Sequence, residues 1–239
     1  MKEVDIAQTL TATRARLARA LLSAGRPSDD AALLAVSKTK PASMIRTAYH
    51  YGQRDFGENY LQEALEKQER LADLNGVAWH FIGPLQSNKT RSVAERFDWV
   101  HSIDRAKTAQ RLSRYRPSDK PPLNICIQVN TSREHSKSGV LLDDLDDLVA
   151  AVVELPGLQL RGLMTLPAPV EGFDAQRVPF AQLRQALESL TSRYPHAKLD
   201  TLSMGMSNDL EAAIAEGATW VRLGTAIFGA RDYPAAHHS

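Results

Sequence analysis

Eight short apolar runs rich in β-forming residues recur along the chain, and amphipathic stretches of helical period separate them. That alternation constrains the fold more than any other feature. The runs occupy 33–39, 55–59, 79–83, 99–103, 124–130, 159–166, 201–206 and 220–228; the helical patterns fall at 43–51, 60–74, 87–96, 106–115, 142–155, 175–194 and 208–216. Strands joined by helix-length crossovers return to the same end of a sheet, so they pair in parallel. Eight such units in 239 residues predict a single (β/α)8 TIM barrel. Val4, Ala7, Leu10, Leu17 and Leu21 form a helical stripe ahead of it, ended by Gly25-Arg26-Pro27, which predicts an extra N-terminal helix. The alternative is a doubly wound open sheet, but no G-x-G-x-x-G fingerprint follows the first strand. The expected organisation is one domain over 1–239: helix and turn at 1–30, barrel at 31–233, and a tail at 234–239 whose His237-His238 pair is too short for a metal site.

Charge and cysteine usage narrow the partners. Lys and Arg number 29 against 28 Asp and Glu, a net charge of +1 that gives no reason to expect nucleic acid. Arg14, Arg16 and Arg19 read as a solvated helix face, and the acidic run 143–147 reads as the outer face of an amphipathic helix. The lone Cys126, inside an apolar run, reads as a small buried hydrophobe. Lys2, Glu3 and Asp5 stand where a signal peptide needs apolar residues, and no apolar run approaches the roughly 18 residues of a membrane span. A cytoplasmic, soluble protein is expected.

In a barrel of this kind chemistry gathers at the C-terminal ends of the strands. The first strand ends Val36-Ser37-Lys38-Thr39-Lys40-Pro41, and Lys38 shares its parity with Leu34 and Val36. If that face points inward, Lys38 stands on the rim as an amine nucleophile toward aldehydes; the alternative is a surface lysine. Asn59 ends the second strand, where it also fits a helix N-cap. His80 lies inside the third strand, as a core residue or a surface for a planar ligand. Gln86-Ser87-Asn88-Lys89 reads as a capped helix start or a second anion contact. The polar loop 130–139 carries a second lysine, Lys137. The Pro-rich stretch 167–179 reads as a turn or an active-site loop.

Strands seven and eight end in Met204-Gly205-Met206-Ser207 and Arg222-Leu223-Gly224-Thr225. Ser207 or Asn208 is expected to cap the next helix, with Glu211 completing a capping box, and Gly224 to let the backbone approach a ligand. Barrels often bind phosphate in these two loops, and Ser207, Gly224 and Thr225 fit that role. A rim lysine with a phosphate site suggests a ligand bearing an aldehyde and a phosphate. Pyridoxal 5′-phosphate (PLP) has both; a phosphosugar that forms a Schiff base is the competing ligand.

Five runs carry a resemblance. Residues 33–41, 56–60, 79–89, 202–207 and 221–231 resemble the pyridoxal-phosphate homeostasis protein family, whose fold is similar to the N-terminal domain of alanine racemase. The resemblance implies PLP held as an aldimine on Lys38, the phosphate on Ser207, Gly224 and Thr225, Arg222 at the pyridine nitrogen, and Asn59, His80 and Met164 lining the ring. An arginine only donates hydrogen bonds, so it favours the unprotonated ring, a weak electron sink. Storage and supply of PLP to PLP-dependent enzymes, by a monomer that contacts them transiently, is therefore expected over catalysis. A small amino-acid racemase is the rival, though racemisation needs acid and base groups on both faces of the substrate. A barrel that consumes the whole length is expected to leave no second domain to supply the opposite face. A Schiff-base enzyme acting on a phosphosugar is the third reading. Lys137 is a candidate secondary site for passing PLP on.

Overall fold

The computed structural model describes residues 4–134 and 137–230. Eight parallel strands close into a barrel in chain order, β1 pairing with both β2 and β8. The strands are β1 (Ala32–Val36), β2 (Asp55–Glu58), β3 (Ala78–Phe81), β4 (Trp99–Ile103), β5 (Leu123–Gln128), β6 (Leu158–Met164), β7 (Thr201–Ser203) and β8 (Trp220–Leu223). Around them lie α2 (Ala42–His50), α3 (Leu61–Arg70), α4 (Thr90–Arg96), α5 (Ala106–Tyr115), α6 (Leu145–Val152), α7 (Phe173–Arg193), α8 (Leu210–Ala215) and α9 (Thr225–Phe228), with α1 (Ile6–Ser23) added before the barrel. No helix among the described residues is long and apolar enough to cross a membrane.

Strand alternation divides the apolar residues into two clusters. Outward positions such as Leu33, Ala35, Phe56, Phe81, Val100, Leu163, Val221 and Leu223 pack under the helices. A separate small cluster of Trp99, Cys126 and Met164 lies inside the barrel. The interior also holds Leu34 and a polar set, His80, His101, Ser203 and Arg222, all buried.

Helix α1 buries Ile6, Leu10, Leu17 and Leu21. Asp5 caps it by accepting the Gln8 N–H at 3.1 Å. At its end Gly25 takes φ 67°, and Arg26 N–H reaches back to Leu21 O at 2.9 Å, a Schellman closure that a side chain would strain. Arg14 and Arg19 lie on the exposed face of α1, as expected, but Arg14 and Arg16 also tie the helix to its neighbours. Arg16 chelates Glu211 with two bonds of 2.7 Å and donates to Ser207 O at 2.8 Å, while Arg14 holds Tyr51 O at 2.7 Å.

Two boundaries differ from expectation. The eighth run does not continue as a strand to residue 228: β8 stops at Leu223, Gly224 turns the chain, and α9 begins. Pro179 lies within α7 as its seventh residue, where it has no N–H to give the Ala175 carbonyl, and its ring lines the cavity.

The β6–β7 contact allows no side chain at Gly162, where a Cβ would stand 1.8 Å from Thr201 O. Gly162→Ala is expected to cost about 3 kcal/mol, the upper range for overpacking; an unchanged urea midpoint would contradict this. Burial pushes the Cys126 thiol up to about 12. Alkylating reagents at pH 8 are therefore expected to label it only after denaturation, and rapid labelling of the native protein would show the interior to be open.

Candidate functional site

At the C-terminal end of the barrel lies a cavity of about 1100 Å³. Its lining brings together seven of the residues singled out from sequence: Lys38, Asn59, Met164, Ser207, Arg222, Gly224 and Thr225. The wall is extended by Val36 of β1, by Ile82 just after β3 and by residues 166–172 after β6.

Lys38 sits in a turn fixed from outside. Ser37 Oγ donates to Glu58 Oε1 at 2.6 Å, and Lys67 Nζ donates to Ser37 O at 2.7 Å. The same ammonium meets Glu58 Oε1 at 2.8 Å and Glu63 Oε1 at 2.5 Å. Glu63 in turn accepts the Thr39 N–H at 2.5 Å, steadying Thr39 at φ 64°, a conformation that β-branched residues avoid. Both neighbours of Lys38 are thus pinned by side chains of β2 and α3. Burial raises the Glu58 carboxyl above its ordinary range, against the pull of Lys67 and Ser37. None of this bracing was anticipated; the signal was a lysine on the buried side of α3, spaced four residues from Glu63.

Asn59 is not a helix cap. The cap position of α3 is Tyr60, with no side-chain bond, and Asn59 Oδ1 is buried without a partner among the described residues. Gly83 makes room for it: a Cβ there would lie 2.4 Å from Asn59 O. Met164 is the apolar floor, 1% exposed.

The two loops on the opposite side carry Ser207 and Gly224-Thr225. No capping box forms at Asn208. The cap of α8 is Asp209, whose Oδ1 accepts Met206 N–H at 2.7 Å, while Glu211 is engaged by Arg16. Burial raises the Asp209 carboxyl, and the Met206 N–H and nearby Arg222 oppose that shift. Gly224 lines the cavity and is also confined from behind, where a Cβ would stand 3.0 Å from Val36 O on the neighbouring strand. Lys40 Nζ holds Ala230 O at 2.5 Å, fastening the end of the barrel to its beginning.

Arg222 projects from β8, 4% exposed. It donates to Ser203 O and Oγ at 2.8 Å each and to Thr165 O at 2.9 Å. Burial brings its guanidinium down to about 10, which leaves it charged at neutral pH.

His80 is the sequence-based candidate that the structure places elsewhere. It is fully buried a layer below the cavity, stacked on Trp99 at 5.5 Å and bonded to Asp55 and His101. Successive inward positions on a strand are about 6.6 Å apart, and the next one up, in the cavity wall, is Ile82, which directly follows β3. The 86–89 cluster forms a short 3-10 turn outside the cavity lining. The polar loop after β5 acts as a brace: Thr131 Oγ1 meets Thr165 Oγ1 at 2.9 Å, and Ser132 Oγ accepts Ala168 N–H at 2.7 Å. Lys137 Nζ lies behind that wall, 3.5 Å from Leu166 O and 3.5 Å from Glu134. His135, Ser136 and the 234–239 tail, with His237-His238, lie outside the described residues.

A family model described as "Alanine racemase, N-terminal domain" matches residues 9–232, so barrel and site together define a protein of that class. The chain is 60% identical to the pyridoxal phosphate homeostasis protein of Pseudomonas aeruginosa, over 96% of this chain and 97% of the relative. It is 55% identical to the protein of the same name from Escherichia coli, over 96% and 98%. The chain belongs to the pyridoxal phosphate homeostasis protein family. Among solved structures, PipY of Synechococcus elongatus with PLP bound superposes with a TM-score of 0.83 at 39% identity, over 94% of this chain and all of that one. Alanine racemase from Corynebacterium glutamicum shares the fold, with a TM-score of 0.64 at 20% identity; 95% of this chain covers 63% of that one.

Lys67→Met strands the Glu58 carboxylate in the interior and is expected to destabilise the fold by about 3 to 5 kcal/mol at neutral pH. Without Lys67 the Glu58 carboxyl titrates higher still, and a carboxyl raised in the folded state favours folding where it is protonated. The deficit should therefore shrink as pH falls from neutral toward the ordinary carboxylate range. Urea titrations at several pH values check both size and sign; a deficit that grows on acidification would contradict the pairing.

Proposed function

We propose that the cavity holds PLP on Lys38 and that the protein serves intracellular PLP homeostasis, storing the cofactor and supplying it to PLP-dependent enzymes. The observation that carries this reading is the meeting of a lysine, a buried guanidinium and two short loops bearing Ser207 and Thr225 in one cavity. The residues fit the group: Asn59 Oδ1 is a buried acceptor with no partner among the described residues, and Met164 offers an apolar floor for a ring. The likeness to PipY, solved with PLP bound, supports the same assignment.

Bound PLP supplies an aldehyde that condenses reversibly with a primary amine, which suits capture and release. Lys38 provides that amine from the pinned turn. Ser207, Gly224 and Thr225 offer hydroxyl and backbone N–H donors to a phosphate. With PLP bound, Arg222 would offer the pyridine nitrogen hydrogen-bond donors only, and a group that only donates favours the unprotonated nitrogen. The ring is then a weak electron sink, which favours holding the cofactor over turning over amino acids. Asn59 and Met164 flank the ring. The protein acts as a cytoplasmic monomer with transient contacts to recipient enzymes.

Borohydride reduction of the PLP-treated protein followed by peptide mapping tests the anchor. A pyridoxyl group on Lys38 is expected, together with its loss and a sharp fall in PLP retention in Lys38→Ala, whose thermal midpoint should stay close to the parent. Absence of the adduct would overturn the reading. Steady, Lys38-dependent loss of optical activity from a single amino-acid enantiomer would replace storage with racemisation.

A further inference from the structure

A continuous line of polar side chains crosses the barrel interior beneath the cavity. Asp55, the first residue of β2, stands at the N-terminal end of the barrel and is 30% exposed at its side chain. Its Oδ1 is 3.1 Å from His80 Nε2. His80 Nδ1 is 2.9 Å from His101 Nε2, and His101 Nδ1 is 2.7 Å from Ser203 Oγ. Ser203 Oγ accepts from Arg222 at 2.8 Å, and Arg222 lines the cavity at the other end. Both imidazoles and Ser203 are fully buried.

The chemistry of these groups gives the line one direction. Arg222 has only donors, so Ser203 Oγ must accept from it. The single Ser203 hydroxyl proton then goes to His101 Nδ1, its nearest nitrogen. His101 carries its own proton on Nε2 and gives it to His80 Nδ1; His80 carries its proton on Nε2 and gives it to Asp55. The reverse order would aim a second N–H at Ser203 Oγ and leave the hydroxyl proton without an acceptor among the described residues. A doubly protonated His101 is disfavoured by burial and by the neighbouring His80 and Arg222, which hold its pKa well below the usual imidazole range. Every dipole thus points the same way, from the guanidinium to a carboxylate at the far end of the barrel.

We propose that Ser203, His101, His80 and Asp55 are positioning residues for Arg222: their directed hydrogen-bond chain fixes the guanidinium so that its remaining N–H groups face the ring nitrogen of the bound cofactor. Three of the five Arg222 N–H groups are spent on Ser203 and Thr165, leaving two for a ligand. The ring-nitrogen part rests on the PLP reading above; the direction of the chain does not.

The test uses the full chain labelled with 15N-histidine, without and with PLP. Both His80 and His101 should be neutral and protonated on Nε2 alone, before and after loading. In Asp55→Asn, where the side chain both donates and accepts, a second His80 tautomer should appear. PLP should leave Ser203→Ala about tenfold faster than the parent, the value of one hydrogen bond to a charged group, and Ser203→Thr should restore the parent rate. Protonation of His101 on Nδ1 would reverse the chain and overturn the proposal, as would parent-like PLP release from Ser203→Ala. If the parent protein gives no pyridoxyl adduct on Lys38, the PLP reading fails by itself, and the tautomers of the unloaded protein still decide the direction of the chain.

Discussion

The burial of one guanidinium organises the centre of this barrel. Removing Arg222 from water carries a desolvation penalty of several kcal/mol, and no carboxylate among the described residues pairs with it directly. The compensation comes from oxygen acceptors at the ends of two adjacent strands. Ser203 closes β7 and Thr165 follows β6, and their carbonyls converge on the guanidinium. Because those carbonyls are turned to the interior, the chain after each strand must leave in a direction that frees them. The loops that form the cavity wall depart from those two points, so the position of the wall follows from the needs of the charge beneath it.

The rim is secured by different means on its two sides. On the Lys38 side the support is ionic and buried, with Lys67 and Glu58 pinned between β2 and α3. On the opposite side it comes from the added helix: Arg16 of α1 reaches Glu211 of α8 and the Ser207 carbonyl together. A buried pair resists displacement because breaking it leaves an uncompensated charge. A half-exposed arginine bridge contributes less and yields more easily. The Lys38 side of the rim is thus stiff, and the loops bearing Ser207 and Thr225 are the softer part.

The barrel itself was legible because its signal is distributed over the whole chain. Eight apolar runs at regular spacing leave little room for another architecture, and the inward parity of Leu34 and Val36 carried over to Lys38. Depth was not legible. Parity says that His80 points inward but not at which layer, and so Ile82, two residues on, holds the place in the wall. Contacts between distant segments were equally hidden. Nothing in the spacing of Arg16 announces Glu211, and nothing local to Gly224 announces the Val36 backbone packed against it. His101 could have been noticed as a second strand histidine two residues after Trp99, which shares its face.

The pairing of β1 with β8 has a consequence for the order of assembly. Thr9 bonds to Ile227 O across 218 residues, and Lys40 to Ala230 O across 190. During synthesis β1 emerges early yet keeps an open edge until the last strand leaves the ribosome, and long-range pairing of this kind forms slowly. The cavity mouth, built from both ends of the chain, is completed last. A nascent chain therefore has no closed cavity to fill, and the site exists only once β8 has joined β1.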